Sequence, residues 1–99
     1  MNMIVNTIKK EKNRIEYMLS KYIEMEKSLP KGSIHSVNKN ANTYYYLKYR
    51  AGKKVVSEYL GKDSAETENL IEKRKHAEIM IKLLEEELKI ANKALEGQI

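Results

Sequence analysis

Residues 43–60 read Thr43-Tyr44-Tyr45-Tyr46-Leu47-Lys48-Tyr49-Arg50-Ala51-Gly52-Lys53-Lys54-Val55-Val56-Ser57-Glu58-Tyr59-Leu60, and this stretch decides the fold. Aromatic and β-branched residues dominate both halves, which suits pleated strands. Between them Ala51-Gly52 is a tight-turn signal. Two strands, Thr43 to Arg50 and Lys53 to Leu60, are therefore expected to form an antiparallel hairpin with Arg50 opposite Lys53. Side chains alternate across a strand, so the two faces can be sorted. One carries Tyr44, Tyr46, Lys48 and Arg50 beside Lys53, Val55, Ser57 and Tyr59. The other carries Tyr45, Leu47 and Tyr49 beside Lys54, Val56, Glu58 and Leu60. The second face is more aliphatic and is expected to pack on helix ends. The first is aromatic and basic and is expected to look at solvent or a partner.

Upstream, Ser33-Ile34-His35-Ser36-Val37-Asn38 reads as a further strand, joined through the turn Lys39-Asn40-Ala41-Asn42. Short connections imply a three-stranded antiparallel meander. Ile34 is expected on the aliphatic face, although a one-residue slip would exchange that strand's contributions.

Helices are expected on both sides of the meander. From residue 3 to about 28, apolar groups recur at Ile4, Ile8, Ile15, Met18, Tyr22 and Met25 and continue to Leu29, interrupted by Glu11. Pro30 and Gly32 stop this helix. From residue 64 to about 96 the seam is Leu70, Arg74, Ala77, Ile81, Leu84, Leu88, Ala91 and Leu95. Asp63 or Ser64 can cap it, Glu66 suits the dipole of its first turn, and Gly97 ends it. Two single-seamed helices bury their seams most simply against each other. Antiparallel pairing places Tyr22 near Ala77, Ile15 near Leu84 and Ile4 near Leu95. The seams could instead pair between two chains and make a homodimer. The expected architecture is α+β, in the order α-β-β-β-α: a long helical hairpin with the meander at one end, forming one domain over residues 1–99.

Composition is consistent with that size. A content of 41% hydrophobic and 33% charged residues suits much solvated helix surface. The net charge of +5 favours polyanionic partners. With no cysteine there are no disulfides and no Cys-based metal sites. No apolar run approaches the roughly 20 residues of a membrane span, and the start lacks the pattern of a signal peptide. A cytoplasmic location and no membrane partner are expected.

The stretch from Gly32-Ser33-Ile34 through Thr43-Tyr44-Tyr45-Tyr46-Leu47-Lys48-Tyr49-Arg50-Ala51-Gly52-Lys53-Lys54, then Tyr59-Leu60-Gly61-Lys62 and a helix, resembles the arm-type DNA-binding domain of phage and transposon tyrosine integrases. It is equally similar to small uncharacterised proteins of Gram-positive bacteria and their phages that carry a tyrosine-rich strand and a Tyr-Leu-Gly-Lys ending. The resemblance covers about a third of the chain. The integrase family lays its sheet in the DNA major groove, so the resemblance implies DNA-facing roles for Tyr44, Tyr46, Lys48, Arg50 and Lys53. The long first helix is absent from the integrase domain.

Residue chemistry points the same way. Cations neutralise phosphates and release counterions. Tyrosine offers a hydroxyl to phosphate and a ring to an unpaired base. The bland alternative is that tyrosine simply prefers strands and that Lys and Arg guard exposed strands against aggregation. The candidate contact residues are Tyr44, Tyr46, Lys48, Arg50, Lys53 and Tyr59. The expected function is a non-enzymatic nucleic-acid-binding module of phage or mobile-element origin, with DNA preferred over RNA. Two other roles fit the same features. One is an inhibitor or adaptor that binds a host nucleic-acid-processing protein such as a defence nuclease, with tyrosine and arginine as anchors. The other is a structural coiled-coil oligomer.

The remaining polar residues carry less. His35 and His76 sit in no metal-ligand pattern. Glu85, Glu86 and Glu87 are adjacent on a helix and point in different directions, as on a solvated face. Glu11 and Arg74 interrupt the seams, where a polar residue commonly fixes register. No phosphate loop, nucleophile elbow or triad is present, and neither a cofactor nor a metal is expected.

Overall fold

Alternating tyrosines, paired turn residues and two heptad-like seams dictate the element order. The computed structural model describes residues 3–97. It contains α1 (Met3–Ser28), β1 (Ser33–Lys39), β2 (Asn42–Ala51), β3 (Lys54–Gly61) and α2 (Ala65–Glu96). The α-β-β-β-α order is the one expected. Residues 1, 2, 98 and 99 of the expected 1–99 domain lie outside the described residues. The chain forms two compact units: residues up to Ser28 with those from Lys75 onward, and Leu29–Arg74 between them. The helix α2 contributes to both.

In the helical unit α1 and α2 pack antiparallel. Tyr22 meets His76 edge-on, with ring centroids 6.0 Å apart. At the other end Ile8 and Ile15 wall one cleft with Ile90, Ala91 and Ala94. Ile15, Ala77, Ile81, Leu84 and Ala91 are buried, all on the seams identified above. Ile4 and Met25 lie on the α1 seam too, yet they are exposed, at 65% and 40%. A straight helix drifts about 20° per heptad from a strict seven-residue repeat, so the ends of a seam rotate off the contact line. Glu11 is satisfied within its own helix: Arg14 donates from Nε to its Oε1 at 2.9 Å. Arg14 also reaches the Met18 sulfur.

The Leu29–Arg74 unit is built on a sheet of order β1-β2-β3, antiparallel throughout. In β1 and β2, Ile34 pairs with Leu47, His35 with Tyr46 and Val37 with Tyr44. The turn between them is shorter than the sequence suggests. Lys39 pairs with Asn42, which leaves only Asn40 and Ala41 as loop residues. Both have positive φ, 52° and 65°, as a type I′ hairpin turn requires. Thr43 Oγ1 donates to Asn38 Oδ1 at 2.7 Å beside it.

The second hairpin corrects the expected register. Ala51 pairs with Lys54 and Arg50 with Val55, so Arg50 does not face Lys53. The loop is Gly52-Lys53, with Gly52 at φ 64°, the position glycine fills in a type II′ turn. A shift of two residues preserves the sorting of faces, because side chains repeat with period two.

Leu47 is 4% exposed, and Ile34, Tyr45, Tyr49 and Val56 on the same face are half-buried. Ile71 in the second turn of α2 is buried in the same unit. Cap chemistry starts α2 where expected. The Ser64 carbonyl accepts the first helical bond, from the Glu68 N–H at 2.8 Å, and Asp63 Oδ1 accepts from the Ala65 N–H at 3.0 Å. Gly32, at φ 128°, lies so close to β2 that a Cβ there would collide with the Lys48 carbonyl oxygen.

Candidate nucleic-acid interface

Pleat and register place Tyr44, Tyr46, Lys48 and Arg50 on one side of the central strand. Cross-strand neighbours on that side are Ser33, His35 and Val37 of β1 and Val55, Ser57 and Tyr59 of β3. It is the open side of the sheet. Val55 is 65% exposed, Tyr59 56% and Val37 48%. Lys48 and Arg50 are exposed, while Tyr44 and Tyr46 are half-buried against their neighbours.

The three tyrosines meet. Tyr59 pairs with Tyr46 across the strands, with ring centroids 5.3 Å apart and planes at 54°. Tyr44 has no directly paired residue on β3, yet its ring centroid is 6.3 Å from that of Tyr59. The register shifts at Tyr45/Tyr46, where Tyr45 pairs with Gly61 and Leu60 is the extra residue of a β-bulge. Bulges increase local twist and re-aim side chains. Here the single ring of Tyr59 comes to serve both Tyr44 and Tyr46 of β2.

Five of the six expected contact residues therefore share one face. Lys53 does not join them on the strand; it sits in the Gly52-Lys53 loop, because the loop lies one residue further along than Ala51-Gly52, which moves the pairing register by two. Lys39 and Asn40 were not expected. They line a shallow concavity of about 410 Å3 together with Tyr44, Tyr46 and Tyr59. The usable signal for Lys39 is the Asn-Ala pair after it. Read as a two-residue turn, that pair extends both strands and gives Lys39 the parity of Tyr44. His35 also lies on this face, opposite Tyr46, with Nε2 3.1 Å from Ser33 Oγ.

Charge is segregated along the chain. Between residues 31 and 62 stand Lys31, Lys39, Lys48, Arg50, Lys53, Lys54 and Lys62 against a single carboxylate, Glu58. Glu58 pairs with Leu47 and so belongs to the opposite face. The rest of the chain holds 12 Lys and Arg against 13 Asp and Glu, so the whole net positive charge belongs to the sheet segment. The tyrosine face itself bears no acidic side chain. Among the described residues there is no cluster of three or more His, Cys, Asp or Glu able to hold a metal ion. No described helix is long and apolar enough to cross a membrane.

Residues 8–69 match the family model described as Domain of unknown function (DUF6788). The match covers more than half of the chain and takes in all three strands and every residue of the face, and the chain belongs to that family. No curated protein and no solved structure gives a significant match.

Proposed function

We propose that this member of the DUF6788 family is a non-enzymatic nucleic-acid-binding module whose contact surface is the open sheet face of Tyr44, Tyr46, Lys48, Arg50 and Tyr59. The observation that carries this reading is the coincidence of two segregations on one face. The Tyr44 and Tyr46 rings, each paired with the ring of Tyr59, lie beside the cationic row of Lys48 and Arg50 on the central strand, and no carboxylate interrupts them. Structural need alone accounts for neither. A sheet needs one apolar face, and here Leu47, Ile34 and Val56 on the other face supply it. Guarding an edge against aggregation calls for charge on β1 and β3, whereas Lys48 and Arg50 stand on the central strand.

Binding of this kind is dominated by phosphate neutralisation, and its salt dependence counts the phosphates engaged. Lys39, Lys48 and Arg50 on the face correspond to a log–log slope of about −2.7 on duplex DNA, and so to about forty-fold weaker binding between 50 and 200 mM salt. Fluorescence anisotropy with labelled DNA and RNA oligonucleotides across that range measures it. Loss of affinity in Lys48→Ala and Arg50→Ala, with a shallower slope, supports the reading. Binding that ignores salt, or no binding to either polymer, removes it.

A further inference from the structure

The concavity on the open face has a composition that selects among nucleic acids. It is lined by Tyr44, Tyr46 and Tyr59 together with Lys39 and Asn40. The Tyr59 ring is tilted by 44° to Tyr44 and by 54° to Tyr46 rather than stacked flat, so the three rings line the shallow concavity without closing it off from solvent. We propose that this recess takes an unpaired base, so that the face prefers single-stranded nucleic acid to duplex; this rests on the nucleic-acid reading above.

The argument is one of shape and chemistry. A phosphate can use the tyrosine hydroxyls but gains little from the ring faces. A base inside a duplex exposes only its edge, and its flat surfaces are covered by its neighbours. An unpaired base has free faces for the rings and a free polar edge, and sheets that bear exposed aromatics bind such bases by stacking. Asn40 has both a donor and an acceptor for that edge, and Lys39 is placed to meet the adjoining phosphate. The turn that holds these two residues is fixed by the positive φ of both loop positions. From the recess the central strand continues to Lys48 and Arg50. Tyr44 to Arg50 covers about 20 Å at the usual strand rise, enough for a strand's next phosphates to follow the cationic row. Stacking tolerates every base, so little sequence preference accompanies the single-strand preference.

The test uses the full chain and three labelled 12-mers of one mixed sequence: a single strand, its duplex, and a strand of abasic residues that keeps the phosphates. At fixed salt the single strand is expected to bind about ten-fold more tightly than either of the others. Tyr59→Ala, at an exposed position with its fold checked by circular dichroism, is expected to lower single-strand affinity more than duplex or abasic affinity and so to erase most of that preference. Equal or tighter binding of the duplex overturns the inference and leaves the nucleic-acid reading standing. Abasic and normal strands binding alike also overturn it, since the bases then contribute nothing. Failure of all three to bind overturns the inference together with the reading beneath it.

Discussion

Arg74 donates from Nη1 to the main-chain carbonyl of Leu29 at 2.8 Å, joining residues 45 positions apart. These two residues are the first and last of the sheet-bearing unit, so the bond closes that unit on itself. Leu29 follows the last helical residue of α1, where carbonyls lack intrahelical donors, and a cation there also suits the helix dipole. This is why a guanidinium occupies a position that the seam would otherwise fill with an apolar group.

Arg74→Met keeps the apolar stem and removes the donor. The partly buried Leu29 carbonyl then loses a charge-assisted bond, and stability should fall by about 1.5–3 kcal/mol. Urea denaturation followed by circular dichroism measures the change. A fall below about 0.5 kcal/mol would show that water replaces the guanidinium at no cost.

Gly32 and Ala41 make opposite predictions from one argument. Gly32 combines φ 128° with close contact to the Lys48 carbonyl and to Tyr49 Cβ, which a new Cβ would meet at 3.0 Å. Gly32→Ala should cost about 2–4 kcal/mol. Ala41 is a non-glycine residue at φ 65°, a conformation that costs an L side chain about 1–2 kcal/mol. Ala41→Gly creates the favoured Asn-Gly turn and should stabilise by about 0.5–1 kcal/mol after the added unfolded-state entropy. Thermal melts of both variants decide the signs.

The corrected second turn separates Lys53 from Arg50. If the strand face is the contact surface, Arg50→Ala should weaken oligonucleotide binding about ten-fold and reduce the salt slope by about 1. Lys53→Ala, in the exposed loop, should change affinity only about two-fold. Equal losses in titrations at matched salt would move the surface from the face to the hairpin tip.

Glu11 gives a pH signature. The Arg14 hydrogen bond, aided by the guanidinium charge, holds its carboxyl below the ordinary value of 4.5. A depressed carboxylate contributes stability that is fully present above its unfolded pKa and is lost as pH falls through the folded one. Wild type and Glu11→Gln should therefore differ most at neutral pH and converge as the medium is acidified through and below the usual carboxylate range. The site is solvent-exposed and the difference is small, so matched thermal melts from pH 7 to pH 2.5 are the appropriate measurement.

Much of this was legible in the order of residues. Strict alternation from Tyr44 to Arg50 fixed both faces of β2, and Leu47 is buried as that alternation requires. The seams gave the antiparallel helix pairing because three- and four-residue spacing leaves one apolar stripe. Other features were not legible. Gly52 suits either position of a two-residue loop, so the register of the second hairpin was open by two. The bulge at Leu60 has no compositional mark, and without it the closeness of Tyr44 to Tyr59 cannot be foreseen. Ile71 lies one residue past Leu70 of the seam, within the sheet-bearing unit, and is buried, which the seam's periodicity does not describe. Arg74 read as an interruption because its partner is a main-chain carbonyl, and a carbonyl has no sequence.

The wedge of Gly32 against Lys48 bears on the thermodynamics of any encounter at this face. Main chain that is already immobilised has no freedom left to surrender when a ligand arrives. The strand carrying Lys48 is hydrogen-bonded on both flanks and braced by Gly32, so association restricts mainly the long, exposed cationic side chains. A substitution that loosens the brace should then lower affinity by making the backbone order itself anew at every association, even though the altered atom touches no ligand.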